Sequence, residues 1–154
     1  MSEKIKIVTT SDHTAIDLRK AVIAHLEARG FEVQDVGPMS TESTDYPKWG
    51  EKAARVVLAG DAQLGIAICG TGFGISLAAN KLAGIRCVVC SEPYTAKLSR
   101  QHNNANMLAF GARVVGVDLA LMIVDEFLNA EFEGGRHARR VNMISELEAG
   151  RSVC

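Results

Sequence analysis

Apolar residues recur along this chain in two alternating patterns. Short runs rich in β-branched residues, at Ile5–Thr10, Glu32–Val36, Leu64–Ile68, Arg86–Val89 and Met107–Phe110, have the length and composition of buried strands. Between and after them, helical spacing of apolar positions predicts helices over about Ala15–Arg29, Pro47–Ala59, Ile75–Leu82, Tyr94–Gln101, Val117–Asn129 and Ala138–Ala149. Apolar strands this short, with helices between them, predict a parallel sheet covered on both faces, because right-handed βαβ crossovers lay the helices there. No Pro/Ser-rich linker, repeat or low-complexity tract interrupts the alternation, so residues 1–154 read as a single α/β domain.

Such sheets bind ligands beyond the C-terminal edge of their strands, where the strand-to-helix loops converge. The loops in question are Ser11-Asp12-His13-Thr14, the stretch from Gly37 to Tyr46, Cys69-Gly70-Thr71-Gly72-Phe73-Gly74, Cys90-Ser91-Glu92-Pro93 and Gly111-Ala112-Arg113. The helix after the fourth strand, ending in Gln101-His102-Asn103-Asn104, is expected to add its polar end to the same rim.

Composition narrows the chemistry. A chain of 154 residues with 47% hydrophobic positions can bury roughly 68–70% of its unfolded surface without disulfides or a structural metal. Its 17 Lys+Arg against 18 Asp+Glu give a net charge of −1, which removes the long-range field of a nucleic-acid or polybasic membrane binder. Aromatics at 5% offer little surface for stacking bases. Small molecules and other protein chains remain as partners. The start, Met1-Ser2-Glu3-Lys4-Ile5, lacks the apolar core of a secretory signal, and no run approaches the roughly 18 apolar residues that span a bilayer. The chain is therefore expected in the cytoplasm, where Cys69, Cys87, Cys90 and Cys154 stay reduced.

The most informative segment is Ala67-Ile68-Cys69-Gly70-Thr71-Gly72-Phe73-Gly74-Ile75-Ser76, a strand entering a glycine turn that opens a helix. Glycines let backbone N–H groups approach an anion, and a helix N-terminus adds positive potential. No Gly-Lys-Ser/Thr follows, and Ile75 and Leu77 stand where a dinucleotide fingerprint needs its third glycine. Nucleotide binding is thus disfavoured. Glycines placed for turn geometry alone are the plain alternative; against it stands Cys69, a thiol at a place that favours a thiolate.

Cys87 and Cys90 have the spacing of a redox pair or half a zinc site, but they fall on a strand, where side chains three apart point to opposite faces. They are expected to be core thiols, and Cys154 a loose end. His25 lies within the first helix and reads as a surface or boundary residue. His13 follows Asp12, whose carboxylate is expected to set its tautomer and raise its basicity. His102 could equally cap its helix. Asp12, His13 and His102 would make a metal site only from separate loops without a ligand spacing, so no metal or other cofactor is expected. Late in the chain, Glu133-Gly134-Gly135-Arg136-His137-Ala138-Arg139-Arg140 sets Arg136 and Arg140 on one helical face, where guanidinium forks suit a phosphate, although a solvated basic turn has the same pattern. Coming after all five strands, this segment is placed to reach another subunit.

Taken together, Ser11-Asp12-His13, Thr44-Asp45-Tyr46-Pro47, the Cys69–Ser76 turn, Asn80-Lys81, Gly84-Ile85-Arg86, Arg100-Gln101-His102-Asn103, Phe110-Gly111-Ala112-Arg113 and Gly134-Gly135-Arg136-His137 resemble the ribose-5-phosphate isomerase B family. The resemblance runs from the first strand to the last helix. It implies a three-layer, Rossmann-like α/β fold with a five-stranded parallel sheet, and a metal-independent aldose–ketose isomerase acting on a phosphorylated sugar. It also implies a homodimer or dimer of dimers with shared active sites, the segment from about residue 134 to 154 packing on a partner subunit.

By position, the resemblance makes Cys69 the base that moves a proton between C1 and C2 through a cis-enediolate. Thr71 and the backbone N–H groups of Gly70, Gly72, Phe73 and Gly74 would stabilise the enediolate oxygen. His102 would assist ring opening, with Asp12 and His13 nearby, and Tyr46 and Asn103 would touch the sugar. Arg113 from one subunit with Arg136, His137 and Arg140 from the other would hold the phosphate. Relatives that lack the cysteine use a carboxylate just after the turn, a place held here by Ile75. Two departures from the family pattern, Ser11 in place of a small residue or Cys and Ala15 in place of Gly, are expected at the sugar end. There they bear on the choice among ribose 5-phosphate, six-carbon allose or galactose 6-phosphate and four-carbon erythrulose 4-phosphate. A non-catalytic phosphosugar-binding module is the alternative of a different class.

Overall fold

The computed structural model describes residues 4–154. Five strands, β1 (Lys6–Ser11), β2 (Glu32–Asp35), β3 (Leu64–Cys69), β4 (Cys87–Val89) and β5 (Met107–Gly111), form one sheet whose paired strands are all parallel, in the order β2-β1-β3-β5-β4. Six helices connect or follow them: α1 (Ile16–Ala28), α2 (Tyr46–Leu58), α3 (Phe73–Ala79), α4 (Pro93–Asn103), α5 (Val117–Asn129) and α6 (Arg136–Glu148). All eleven elements lie within a few residues of the sequence-based ranges. The largest difference is at α3, which stops at Ala79 rather than Leu82. Its C-cap Asn80 turns its amide onto β4, accepting from Cys87 N at 2.7 Å and donating to Cys87 O at 2.8 Å. A side chain thus serves as the missing ladder neighbour of an edge strand. Among the described residues no helix is long and apolar enough to cross a membrane.

The strands alternate between two unlike cores. Leu64, Ile66, Ile68, Leu108 and Phe110 face α1, α4 and α5, packing against Leu18, Val22, Ala96, Ile123 and Phe127. On the other face Ala67, Cys69, Met107 and Ala109 meet α2 and α3 through Ala53, Ala54, Ile75 and Ala79. Large side chains fill the first layer; Phe127→Ala there is expected to cost about 3–5 kcal/mol. Small ones let the second layer lie close. Gly50 of α2 shows how close: a Cβ at that position would stand 2.6 Å from the Ile75 carbonyl oxygen.

Cys87 and Cys90 divide between these two cores, as strand alternation requires. Burial, helped by the neighbouring Cys90, pushes the Cys87 thiol up to about 12, and burial raises Cys90 as well. Both are protonated packing groups at neutral pH. His25 is a boundary residue: its Nε2 lies 2.7 Å from Asp125 Oδ1, which also accepts from Arg29 Nη1 at 2.7 Å, joining α1 to α5. Outside the three layers, α6 packs on α4 of its own chain with His137 and Val141 buried. Glu148 at its far end accepts from Gly84 N at 3.0 Å.

Candidate active site

Three central strands deliver the first group of residues to one edge. Ser11 is paired with Ile68, and Cys69 with Gly111, so the loops after β1, β3 and β5 leave the sheet side by side. Backbone bonds then continue the register into the loops: Asp12 N donates to Ile68 O at 3.0 Å, Ala112 N to Cys69 O at 2.8 Å and Arg113 N to Gly70 O at 3.0 Å. The glycine turn is held against β5 as though the ladder had not ended.

Glycine is required in this turn. Gly72 has φ +85°, and a Cβ there would stand 2.8 Å from the Phe110 carbonyl carbon. The Gly72 N–H donates to Cys69 Sγ at 3.1 Å, a backbone donor aimed at the buried thiol that ends β3. Thr71 and Phe73 are exposed beside it. Gly74 is covered by Tyr46, whose ring would lie 2.6 Å from an added Cβ, and the Arg113 guanidinium lies over Gly70, 3.5 Å from the place a Cβ would take. Ile75, fully buried, points into the thin core and brings no charge to the turn.

Asp12 and His13 share this edge but not a bond. Asp12 Oδ1 accepts from Thr14 N at 2.9 Å and from Thr14 Oγ1 at 2.6 Å, capping the single 3-10 turn His13–Ala15. It is the Thr44 N–H, donating to His13 Nδ1 at 3.2 Å, that fixes the histidine. With Nδ1 as acceptor, the neutral ring carries its proton on Nε2. Tautomer control therefore comes from the β2–α2 loop rather than from the adjacent carboxylate. Sequence spacing gives no sign of it, since the two residues are 31 apart.

Ser11 and Ala15 are both buried behind the rim. Ser11 is fully buried, accepting from Arg19 Nη1 at 2.5 Å and donating to Asp12 O at 2.9 Å. Ala15 is buried in the thick core. Arg19, itself buried, also bonds Pro38 O after the cis Gly37–Pro38 peptide and lies 3.1 Å from Asp35 Oδ1. Burial lowers the Arg19 pKa and Asp35 opposes that shift. One hidden arginine thus braces two rim loops from behind.

His102 and Asn103 are elsewhere. Helix α4 begins at the C-terminal edge after β4 and runs back, so its last residues lie at the opposite edge, beside the start of β4 and β5. Arg86 Nε donates to Asn104 O at 2.9 Å and Asn106 N to Arg86 O at 3.1 Å, which fixes that end. The five residues of β5 correspond to about 16 Å between the two edges. The expectation of one rim containing His102 is corrected accordingly: a helix that starts at a rim finishes a helix-length away. For the same reason Asp12, His13 and His102 of one chain do not meet.

A second cluster forms where α4 ends. Gly134 and Gly135, at φ +67° and +58°, turn the chain into α6. His137 then stacks on His102 with centroids 4.2 Å apart and rings 7° from parallel. Arg136 and Arg140 stand exposed on the same helix. His137 is buried, and desolvation, His102 and the two arginines lower its pKa, with Glu133 opposing. At neutral pH it is an uncharged ring. Sequence reasoning assigned Glu133 no task, yet its Oε1 lies 3.5 Å from His137 Nε2 and 3.8 Å from His102 Nε2.

The residues expected at the site thus form two groups on opposite edges: Asp12, His13, Tyr46, Cys69, Gly70, Thr71, Gly72, Phe73, Gly74 and Arg113 on one, and His102, Asn103, Arg136, His137 and Arg140 on the other. Comparison with known proteins gives this division a context. The family model described as Ribose/Galactose Isomerase matches residues 7–144. Ribose-5-phosphate isomerase B of Escherichia coli strain K12 is 56% identical over 147 residues, covering 96% of this chain and 99% of that protein. Among solved structures, ribose-5-phosphate isomerase B of Clostridium thermocellum superposes with a TM-score of 0.94 at 53% identity, over 96% of this chain and 100% of that one. The Mycoplasma genitalium enzyme, solved with bound ribulose-5-phosphate, gives 0.90 at 41% identity, over 96% and 99%. On sequence, fold and the matched residues, the chain belongs to the ribose/galactose isomerase family, among the ribose-5-phosphate isomerases B.

Proposed function

We propose that the chain interconverts D-ribose 5-phosphate and D-ribulose 5-phosphate, each active site joining the Cys69 edge of one copy to the His102 edge of another. The division of the site residues between opposite edges of a single sheet carries this reading. Because His102 stacks on His137, the two travel together; His102 and Asn103 come to the site with Arg136, His137 and Arg140. Exposed apolar side chains on both parts, Phe73, Leu77 and Tyr94 on one and Met143, Ile144 and Leu147 on the other, suit burial against a second copy.

His102 opens the furanose by moving a proton from the anomeric hydroxyl to the ring oxygen. Cys69 Sγ takes the proton from C2 of the open aldose and, after exchange of the thiol with solvent, delivers a proton to C1, while the hydroxyl proton of O2 passes to O1. Between the two transfers, the negative oxygen of the cis-enediolate accepts from Thr71 and from the N–H groups of Gly70 to Gly74, donors fixed by the packed turn before any charge develops. Asp12, His13, Tyr46 and Asn103 hold the sugar hydroxyls. Arg113 and the second copy's Arg136, His137 and Arg140 hold the phosphate. No step calls for a metal ion, so activity is expected to survive exhaustive chelation.

The test is turnover of a panel of four-, five- and six-carbon aldose phosphates. The highest kcat/KM is expected for ribose 5-phosphate. A six- or four-carbon substrate in first place would reassign the sugar, and tight binding without turnover of any member would make the protein a phosphosugar-binding module.

A further inference from the structure

Glu133 is the one charged group in the second cluster that the proposed reaction leaves without a task. Its backbone N–H donates to Gln101 O at 3.0 Å, which fastens the α5–α6 connection to the last turn of α4. From there its carboxylate lies on the same edge of both stacked rings, Oε1 3.5 Å from His137 Nε2 and 3.8 Å from His102 Nε2, one short side-chain adjustment from hydrogen-bond distance of His102, and the side chain is about half exposed. Together, His102, Glu133 and His137 have the donor set of a metal site. The ring geometry argues against that use. An imidazole binds a metal through a lone pair in its own plane, and two rings 7° from parallel with centroids 4.2 Å apart direct those lone pairs along lines that do not meet at one ion. Arg136 and Arg140 add further positive charge.

A carboxylate suits the pair better, since one oxygen can accept from two N–H groups over a wide range of angles. His137 Nε2 is buried without a hydrogen-bond partner of ordinary geometry. Of the titratable and charged groups that face it, His102 from α4 and Arg136 and Arg140 from α6 all disfavour a positive charge on the ring, and Glu133 alone favours one.

We propose that Glu133 is a positioning residue for ring opening, holding an Nε2–H on His102 so that Nδ1 is the nitrogen that works on the sugar. This rests on the ring-opening task given to His102 above. In that step Nδ1 takes the proton of the anomeric hydroxyl and gives the same proton to the ring oxygen as the C1–O4 bond breaks. The product is the open aldehyde, and the protein's proton count is unchanged. His137, stacked behind and sharing the carboxylate, keeps the His102 ring from turning over. Closed to hydrogen-bond distance, the pair would act as do the carboxylate–imidazole pairs that set the tautomer of catalytic histidines elsewhere.

The two directions of the reaction provide a test. Ribose 5-phosphate enters as a furanose, whereas ribulose 5-phosphate, with its 5-oxygen esterified, is open-chain. Enediolate formation from the ketose, read by NMR as deuterium entering C1 from D2O, needs Cys69 but no ring opening. Glu133→Gln is expected to lower kcat from the aldose about 10- to 100-fold and leave the C1 exchange rate and KM of the ketose within about twofold; Glu133→Asp should recover part of the loss. An equal fall in aldose turnover and ketose exchange would overturn the proposal, marking a structural or phosphate-binding residue. So would unchanged aldose turnover. Absence in the wild-type enzyme of both C1 exchange and any conversion of ribulose 5-phosphate to the aldose would instead overturn the isomerase reading itself, and this proposal with it.

Discussion

The two edges of the sheet are built in different ways. On the Cys69 edge, position is set mainly by backbone: the glycine turn is bonded to the β5 loop, Gly72 has no room for a side chain, and Cys69 ends a fully buried strand. On the His102 edge, position is set by side chains. Arg100 Nη1 bonds Ala105 O at 2.5 Å, one imidazole stacks on another, and α6 contributes the exposed Arg136 and Arg140 from outside the three layers. The contrast follows the chemistry proposed for each. Proton transfer between adjacent carbons loses rate steeply with small displacements, and rigid strands and their first loop atoms resist displacement best. Charge attraction to a phosphate falls off slowly with distance, and long guanidinium side chains on an outer helix are sufficient for it.

The largest effect should come from breaking the first edge. Cys69→Ala is expected to lower kcat by about 10²–10⁴-fold with little change in KM; a near-normal steady-state kcat would remove Cys69 from the reaction. Mixing this variant with His102→Gln after subunit exchange sharpens the comparison, because each hybrid dimer regains one intact site. Recovery of about a quarter of wild-type activity is expected from a random mixture, and none, with exchange demonstrated, if both edges serve a site within one chain.

Next in size, Arg136→Ala and Arg140→Ala should chiefly raise KM, leaving kcat within a few-fold; a kcat defect at saturating substrate would place these arginines in the chemical step. A stability pair comes third. Gly135→Ala meets only backbone strain, about 1–3 kcal/mol, with open space around the new methyl group. Gly72→Ala adds a collision with the Phe110 backbone to a similar strain and should cost more by urea denaturation. Equal costs would show that the rim turn is no more tightly held than the α6 entrance. The smallest effect concerns the thiols. Cys87, pushed up to about 12, and Cys90, also raised, stay protonated and should resist iodoacetamide at pH 8 in the folded protein, while exposed Cys154 reacts first without loss of activity. Peptide mapping of the labelled protein distinguishes them.

Much of this molecule is legible in its sequence because most elements are announced locally. Strand lengths, the division of Cys87 from Cys90 and the glycine turn all follow from side-chain period and backbone freedom within a few residues. What the sequence does not announce is adjacency. Nothing in Met107–Gly111 says that it inserts between β3 and β4, or that Thr44 rather than Asp12 will hold His13. The departure of Ser11 from the family pattern gives no sign of the buried Arg19 that bonds it from behind. His102 illustrates the same limit, for a helix carries its two ends to opposite edges whatever its residues. Glu133 stands 31 positions from His102 and four from His137, and only the fold shows that it faces both.

The distance between the edges also has a consequence under mass action. If Cys69 and His102 serve one reaction, a solitary chain is an incomplete catalyst however well it folds. Specific activity should then decline on dilution, following the dissociation of the pair, while the circular dichroism of each chain persists. A surface mutation that merely loosens the contact would likewise abolish turnover at low abundance and spare it at high abundance, so the cell's concentration of this protein becomes part of its catalytic apparatus.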